Sequence, residues 1–286
     1  MNHKGCILSS VLLGSALLFG GCAAQTTPAA TQGTEAKKPA DAADNAALKQ
    51  AAETYRKYVI EQCDLFVKST GEFAAAVKAG DVAKSQTLYA PTRMFYERIE
   101  PIAESLGELD PNLDAREGDV DEKEWRGFHR IEKALWTDKT TKGQEIYADQ
   151  LLSDSKLLRA KVENVEIDTS MLVTGAVELL NEVSSSKVTG EEERYSHTDL
   201  YDFAANVEGA NKIFDILKPE VEKKDGVLAK QIADRFNDLS TALAPYKKGD
   251  GYVLYTELTP DQTKKLSQAL DALAEPLSQM GKVLEG

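Results

Sequence analysis

In the stretch Gly127-Phe128-His129-Arg130-Ile131-Glu132 an imidazole and a carboxylate stand three residues apart. On a helix that spacing puts both side chains on one face, with Cβ atoms roughly 5–6 Å apart. A ring nitrogen and a carboxylate oxygen can then reach one ion. Nitrogen and oxygen donors suit iron, zinc, copper or manganese and do not choose among them. The same spacing also serves a plain His–Glu surface pair of little energetic consequence. Further carboxylates would complete a site. Arg93, Glu97 and Glu100 fall on one face of the segment from Tyr89 to Pro101, either as ligands or as a solvated stripe with an internal Arg–Glu pair. Asp149 lies on the helix after the H-x-x-E segment, and antiparallel packing would return it to the ion. A second histidine, His197, stands in Gly190-Glu-Glu-Glu-Arg-Tyr-Ser-His-Thr-Asp-Leu200. There Ser196 or Asp199 can cap a helix, and Asp199 or Glu193 can pair with His197 to orient the loop or form a second metal site.

The chain has no H-E-x-x-H, no G-x-S-x-G, no Walker loop and no dinucleotide fingerprint after a strand. The common protease, hydrolase and nucleotide-enzyme mechanisms lack their residues. Binding gains by subtraction.

The elements that must position these residues read as helices. From Ala46 onward apolar residues recur at three- and four-residue spacings, and long apolar/polar alternation is missing, so the domain is all-α. The pattern predicts a helix from about Ala46 to Lys78, with a candidate break near Ser69-Thr70-Gly71 and with Tyr58, Phe66, Phe73 and Val77 among its core positions. A second helix starts at Asp81, where Pro91 kinks it or begins a new one, and reaches about Leu106. Gly107 to Asp119 reads as a loop by its Asp110-Pro111 and Gly118 breakers. Trp125 to Trp136 reads as helix, then a polar loop, then an amphipathic helix from Gln144 to Asn164 with the stripe Ile146, Leu151, Leu152, Leu157, Leu158 and Val162. Helices follow from Asp168 to Ser184, Thr198 to Leu217, Ala229 to Leu243 and Pro260 to Leu284. Long helices with short connections favour antiparallel bundles, here two packed four-helix bundles.

The N-terminus carries Lys4 before a largely apolar run from Ile7 to Phe19 and then Gly20-Gly21-Cys22. This is a secretory signal peptide, residues 1–21, with an apolar run shorter than a membrane span. Small residues before Cys22 resemble the bacterial lipobox, which would make Cys22 the lipidated mature N-terminus; the alternative is an ordinary soluble periplasmic protein. Residues 22–44, rich in Ala, Thr, Gln, Lys and Pro, read as a flexible tether, and 45–286 as the helical domain. Cys63 reads as a buried small apolar residue. The 286 residues carry 34 Lys plus Arg against 47 Asp plus Glu, a net charge of −13. A surface this acidic repels phosphate backbones, so nucleic acid is excluded as a partner and a cation favoured.

Four strings carry a family resemblance: Tyr89-Ala-Pro-Thr-Arg through Glu97-Arg-Ile-Glu-Pro-Ile-Ala-Glu104, Asp114-Ala-Arg-Glu117, Gly127-Phe-His-Arg-Ile-Glu-Lys-Ala-Leu-Trp136, and Gly190 to Leu200. From about residue 50 onward the chain resembles the EfeO/EfeM family of the imelysin-like, M75 peptidase-type group, in its short form without a cupredoxin domain. The resemblance implies an all-α domain of two four-helix bundles. It implies a periplasmic or surface component of an Efe-type iron uptake system, beside a membrane permease and a haem peroxidase-like protein, taking Fe2+ or Fe3+ as cargo. It transfers the metal-ligand role to His129 and Glu132, with Glu97 and Asp149 as weaker transfers. Phe128 and Tyr201 replace tryptophans usual in the family, both conservative changes. The group also implies two other readings, a metallopeptidase and an alginate-like polysaccharide binder. The first would need a catalytic base, and none is identified beyond the ligands themselves.

Overall fold

The computed structural model describes residues 39–185 and 187–285. The expectations for the signal peptide, for Cys22 and for the tether up to residue 38 lie outside them. Helix α1 (Pro39–Lys78) opens on a proline, a residue suited to a first turn whose amide has no intrahelical acceptor. It starts inside the segment read as tether and runs unbroken through Ser69-Thr70-Gly71. Those small residues serve contacts between helices instead. The Ser69 and Thr92 hydroxyls lie 2.6 Å apart, and Gly71 faces the Leu152 side chain at a distance where a Cβ would make ordinary contact, 3.8 Å.

Asp81 caps α2 (Val82–Glu97), its carboxylate accepting the Lys84 amide at 3.0 Å. Pro91 stays inside α2 on its exposed side without ending the helix. The break comes later, after Glu97, and the chain returns to helix in α3 (Glu100–Ala103). The segment read as a loop contains a helix, α4 (Leu109–Asp114), with Leu109 and Leu113 buried. Pro111 sits in its first turn, where a missing amide breaks no intrahelical bond. Helix α5 (Phe128–Lys133) starts three residues later than the expected Trp125 and passes into a π-helical turn at Ala134–Asp138, closed by Lys139 at φ 53°.

In α6 (Glu145–Lys161) the buried face is Ala148, Leu151, Asp154, Ser155 and Leu158. Ile146 and Leu157, both assigned to the apolar stripe, are 61% and 46% exposed. Leu151 and Leu158 of that stripe are buried, whereas Ile146 and Leu157 stay in water. Asp168 caps α7 (Thr169–Ser185) through the Met171 amide, 2.8 Å. Helix α8 (Asp199–Lys224) extends past the expected Leu217, and Asp225 then caps α9 (Gly226–Leu243) through the Val227 and Leu228 amides. A small hairpin of β1 (Lys247–Lys248) and β2 (Gly251–Tyr252), not expected from sequence, precedes α10 (Pro260–Glu285).

Helix α1 packs between α6 and α2, and α8 lies against both α1 and α2. Helices α7, α8, α9 and α10 form the second bundle. The fold is therefore all-α with α8 common to both bundles. Its burial pattern follows from that place: Phe203, Ala204, Ala205, Val207, Ala210, Ile213 and Phe214 are all buried, together with the polar Asp199, Asp202 and Asn206. Gly209 lets the helix approach the chain at Arg98, whose carbonyl oxygen lies 2.4 Å from where a Cβ would stand. Cys63 is fully buried, and burial pushes its thiol up to about 12. Among the described residues no helix is long and apolar enough to cross a membrane.

Candidate metal centre

His129 and Glu132 sit where the bundles meet, 1% and 0% exposed. They owe their place to Gly127, at φ 91°, whose absent Cβ would stand 2.3 Å from the Leu113 carbonyl oxygen. Only glycine satisfies both the backbone angle and the contact. It brings the start of α5 against the end of α4 and so brings His129 beside Asp114. Phe66, Phe73, Tyr89, Phe128 and Trp136 pack on one another with paired centroids 5.3–5.9 Å apart, and the Tyr89 hydroxyl lies 3.5 Å from His129 Nδ1.

The two nitrogens of His129 face different surroundings. Nδ1 lies 3.1 Å from Glu132 Oε2. The other oxygen of Glu132 accepts the backbone amides of Tyr195 and Ser196 at 3.0 and 2.7 Å. Glu132 is thus engaged on both oxygens, in the arrangement by which a carboxylate fixes a ligating histidine's tautomer and direction. Glu193, beside it, accepts from Arg93 Nε at 2.5 Å and from Ser196 Oγ at 2.9 Å. Nε2, by contrast, is buried and makes no hydrogen bond. It stands 3.4 Å from Asp114 Oδ1 and 3.7 Å from Glu192 Oε1.

The donor atoms of Asp114, His129 and Glu192 all lie within 4.8 Å of one another, as do those of His129, Glu132 and Glu193. Bonds of about 2.0–2.2 Å to one ion require donors up to about 4 Å apart, so small side-chain movements suffice. The first group has the open nitrogen. It also has a way in: a cavity of about 190 Å³ reaches Asp114 and Glu192 and is lined by Glu100, Arg116, Asp119 and Glu182 among others.

Around this pair the charges are dense. Arg93, fully buried, reaches Asp114, Glu97 (2.6 Å), Glu193 and Asp202 (3.1 Å), with Glu192 at 3.5 Å. Arg116 donates to Glu192 Oε2 at 2.8 Å. Burial and Arg93 push the His129 pKa down, but the carboxylates of Asp114, Glu132 and Glu192 reverse this and hold it well above the ordinary value. Glu192 resists burial through Lys187 and His129 and is held down to about 2. Burial, with Glu132 adding to it, holds Glu193 well above the usual carboxylate range. The carboxylates favour a proton on this ring, and a metal ion bound there would compete with it.

Of the residues singled out in the sequence, the structure brings His129, Glu132 and Glu97 into one buried cluster. Glu97 is not against the imidazole; it bridges Arg93 and Lys187. Asp149 is placed elsewhere. It is an exposed partner of Lys78 at 2.7 Å, because α6 turns Ala148, not Asp149, toward the core. His197 is half-buried at φ 58°, and its carbonyl accepts the Tyr255 amide at 2.8 Å, a loop-shaping role. Sequence reasoning missed Asp114, Glu192 and Asp202 as site residues. Asp114 hid in the supposed loop, and Glu192 in a run of three glutamates that reads as helix-capping charge. For Asp114 and Glu192 the only signal was membership of the strings that carry the family resemblance; Asp202 lies two residues past the last of them.

Fold and site together define an all-α protein with a histidine–carboxylate cluster buried where two helical bundles share a helix. The chain belongs to the imelysin, or M75 peptidase, family, which it matches over residues 30–280. It is 44% identical over 287 residues to an Efem/EfeO family lipoprotein of Staphylococcus haemolyticus, covering 97% of this chain and 99% of the relative. It is 47% identical over 249 residues to an Efem/EfeO family lipoprotein of Staphylococcus aureus strain NCTC 8325, covering 84% and 87%.

Proposed function

We propose that this chain is the exported, lipid-anchored metal-capture component of an Efe-type iron uptake system. It takes iron on the Nε2 side of His129, between Asp114 and Glu192, and passes it to a membrane permease working beside a haem peroxidase-like protein. One observation carries the site: a buried ring nitrogen without a hydrogen bond, facing two carboxylates, while the other nitrogen is held by Glu132. The relatives' description as Efem/EfeO lipoproteins supports the iron system and the anchor at Cys22. The net charge of −13 favours cation approach. Zinc and copper share the donor preferences and are the competitors to test. In this reading the protein is a carrier and not an enzyme.

Calorimetric titration of the purified protein with anaerobic Fe2+, chelated Fe3+, Zn2+ and Cu2+ tests this. The reading expects about one equivalent, tightest for iron and lost in His129→Ala/Glu132→Ala. Equal binding by both proteins would contradict it. Hydrolysis of a peptide panel that disappears in Glu132→Ala would instead make the protein a metallopeptidase.

A further inference from the structure

The cavity that leads to Asp114 and Glu192 is lined by six carboxylates and, among the described residues, one base, Arg116. That base follows α4 and opens the turn Arg116–Asp119, which is closed by the Asp119 amide on the Arg116 carbonyl at 3.1 Å and carries Gly118 at φ 98°. Asp119 anchors it within the turn: Oδ2 accepts the Arg116 backbone amide at 3.0 Å and its Nε at 3.2 Å. The far end of the same guanidinium, Nη1, donates to Glu192 Oε2 at 2.8 Å. The Asp119 side chain is 42% exposed and that of Glu192 3%. Arg116 therefore bridges an exposed turn and a buried carboxylate of the capture site. The Glu192 oxygen it leaves free, Oε1, is the one 3.7 Å from His129 Nε2.

We propose that Arg116 is the latch on metal exchange: its guanidinium must leave Glu192, turning about its hold on Asp119, before an ion can reach or quit the Nε2 side of His129. The proposal rests on the capture reading and adds the residue that times it. A cation moving along the cavity meets a fixed like charge beside a carboxylate it needs, and in a cleft with low-dielectric walls that repulsion is large. The planar guanidinium offers several donors in a fixed fork, so it can release Glu192 while Nε stays on Asp119. The bond it breaks is charge-assisted, strong enough to slow exchange. It also belongs to a partly exposed pair, weak enough to open without a partner protein. An ion already bound waits for the same opening. The donors thus set how tightly metal is held, and Arg116 sets how fast it comes and goes.

Anaerobic Fe2+ is the probe. Mixing loaded protein with a saturating chromogenic Fe2+ chelator reads the release rate, calorimetry reads Kd, and the association rate follows from the two. Arg116→Gln removes both the charge and the fork. Arg116→Lys keeps the charge but cannot hold Asp119 and Glu192 together. The latch predicts that both variants speed release and association alike, by about tenfold in Arg116→Gln. Faster release with an unchanged association rate would make Arg116 a residue that only orients Glu192, and overturns the latch. A fast Arg116→Gln beside an Arg116→Lys that matches the wild type would reduce the effect to charge alone, and overturns it too. If wild-type rates persist in both variants while His129→Ala/Glu132→Ala loses the iron, the capture reading stands and the latch falls. Iron that the wild type does not bind, or that His129→Ala/Glu132→Ala retains, removes the capture reading and the latch with it.

Discussion

At the scale of single residues, His129 and Glu132 do different work although they form one motif. Spacing showed that they share a helix face; it could not show that Glu132 spends one oxygen on Nδ1 and the other on two backbone amides. This division makes an affinity series informative. Removing the ring nitrogen in His129→Ala should abolish tight binding. Glu132→Gln, which weakens the orientation of the ring, should cost roughly 10- to 100-fold. Asp114→Asn should weaken binding by removing a charged donor, and Asp149→Asn should leave it at the wild-type value, all read by calorimetry. The pH dependence has a defined sign. The folded pKa of His129 is raised, so its contribution to the metal-free fold is complete below the unfolded value of about 6.5 and is lost as pH rises through the folded value. Metal competes with that proton, so affinity should rise with pH above about 6.5, with proton release in buffers of different ionisation enthalpy. Affinity that is flat or falls over that range would place the ion away from this imidazole.

At the scale of elements, the long helices were legible because their apolar residues repeat at helical spacing. The short ones that deliver the site were not. Helix α4 is one and a half turns, too short for periodicity, and its proline reads as a breaker although it occupies a first turn. The α6 stripe holds at Leu151, Leu158 and Val162 and fails at Ile146 and Leu157, while the smaller Ala148 and Ser155 are on the buried face. Type alone does not decide which face packs. Gly127 is the joint between α4 and α5, and its role depends on a backbone contact that no sequence pattern reports. Gly127→Ala should destabilise the protein by more than about 1 kcal/mol, since it adds both a strained backbone angle and a clash with Leu113. Chemical denaturation would measure this. It should also lower metal affinity, because it separates Asp114 from His129. Gly143→Ala, at φ 82° with nothing within 4 Å of the new Cβ, controls for backbone strain alone. It should spare affinity.

At the scale of the whole molecule, the charged cluster lies where α2, α5 and α8 converge, and the bundles are built around it as much as around the apolar core. Arg93 is the common counter-ion. Burying a guanidinium completely is tolerable only because carboxylates from α2, α4, the Glu192-Glu193 turn and α8 surround it. Arg93→Ala should cost about 3–5 kcal/mol or prevent folding, since it leaves those carboxylates buried without their partner. A thermal melt reads the loss, and a change near zero would mean the carboxylates are neutral or solvated. The all-α class and the bundle architecture could be read from periodicity and connection length, whereas the sharing of α8 could not. Its buried Asp199, Asp202 and Asn206 look in sequence like the polar face of a surface helix.

The most direct measurement is the anomalous-scattering position of iron in crystals loaded without oxygen. The account predicts one peak on the Nε2 side of His129, within bonding distance of Asp114 and Glu192, with Glu132 still on Nδ1. A peak on the Nδ1 side between Glu132 and Glu193 would contradict it.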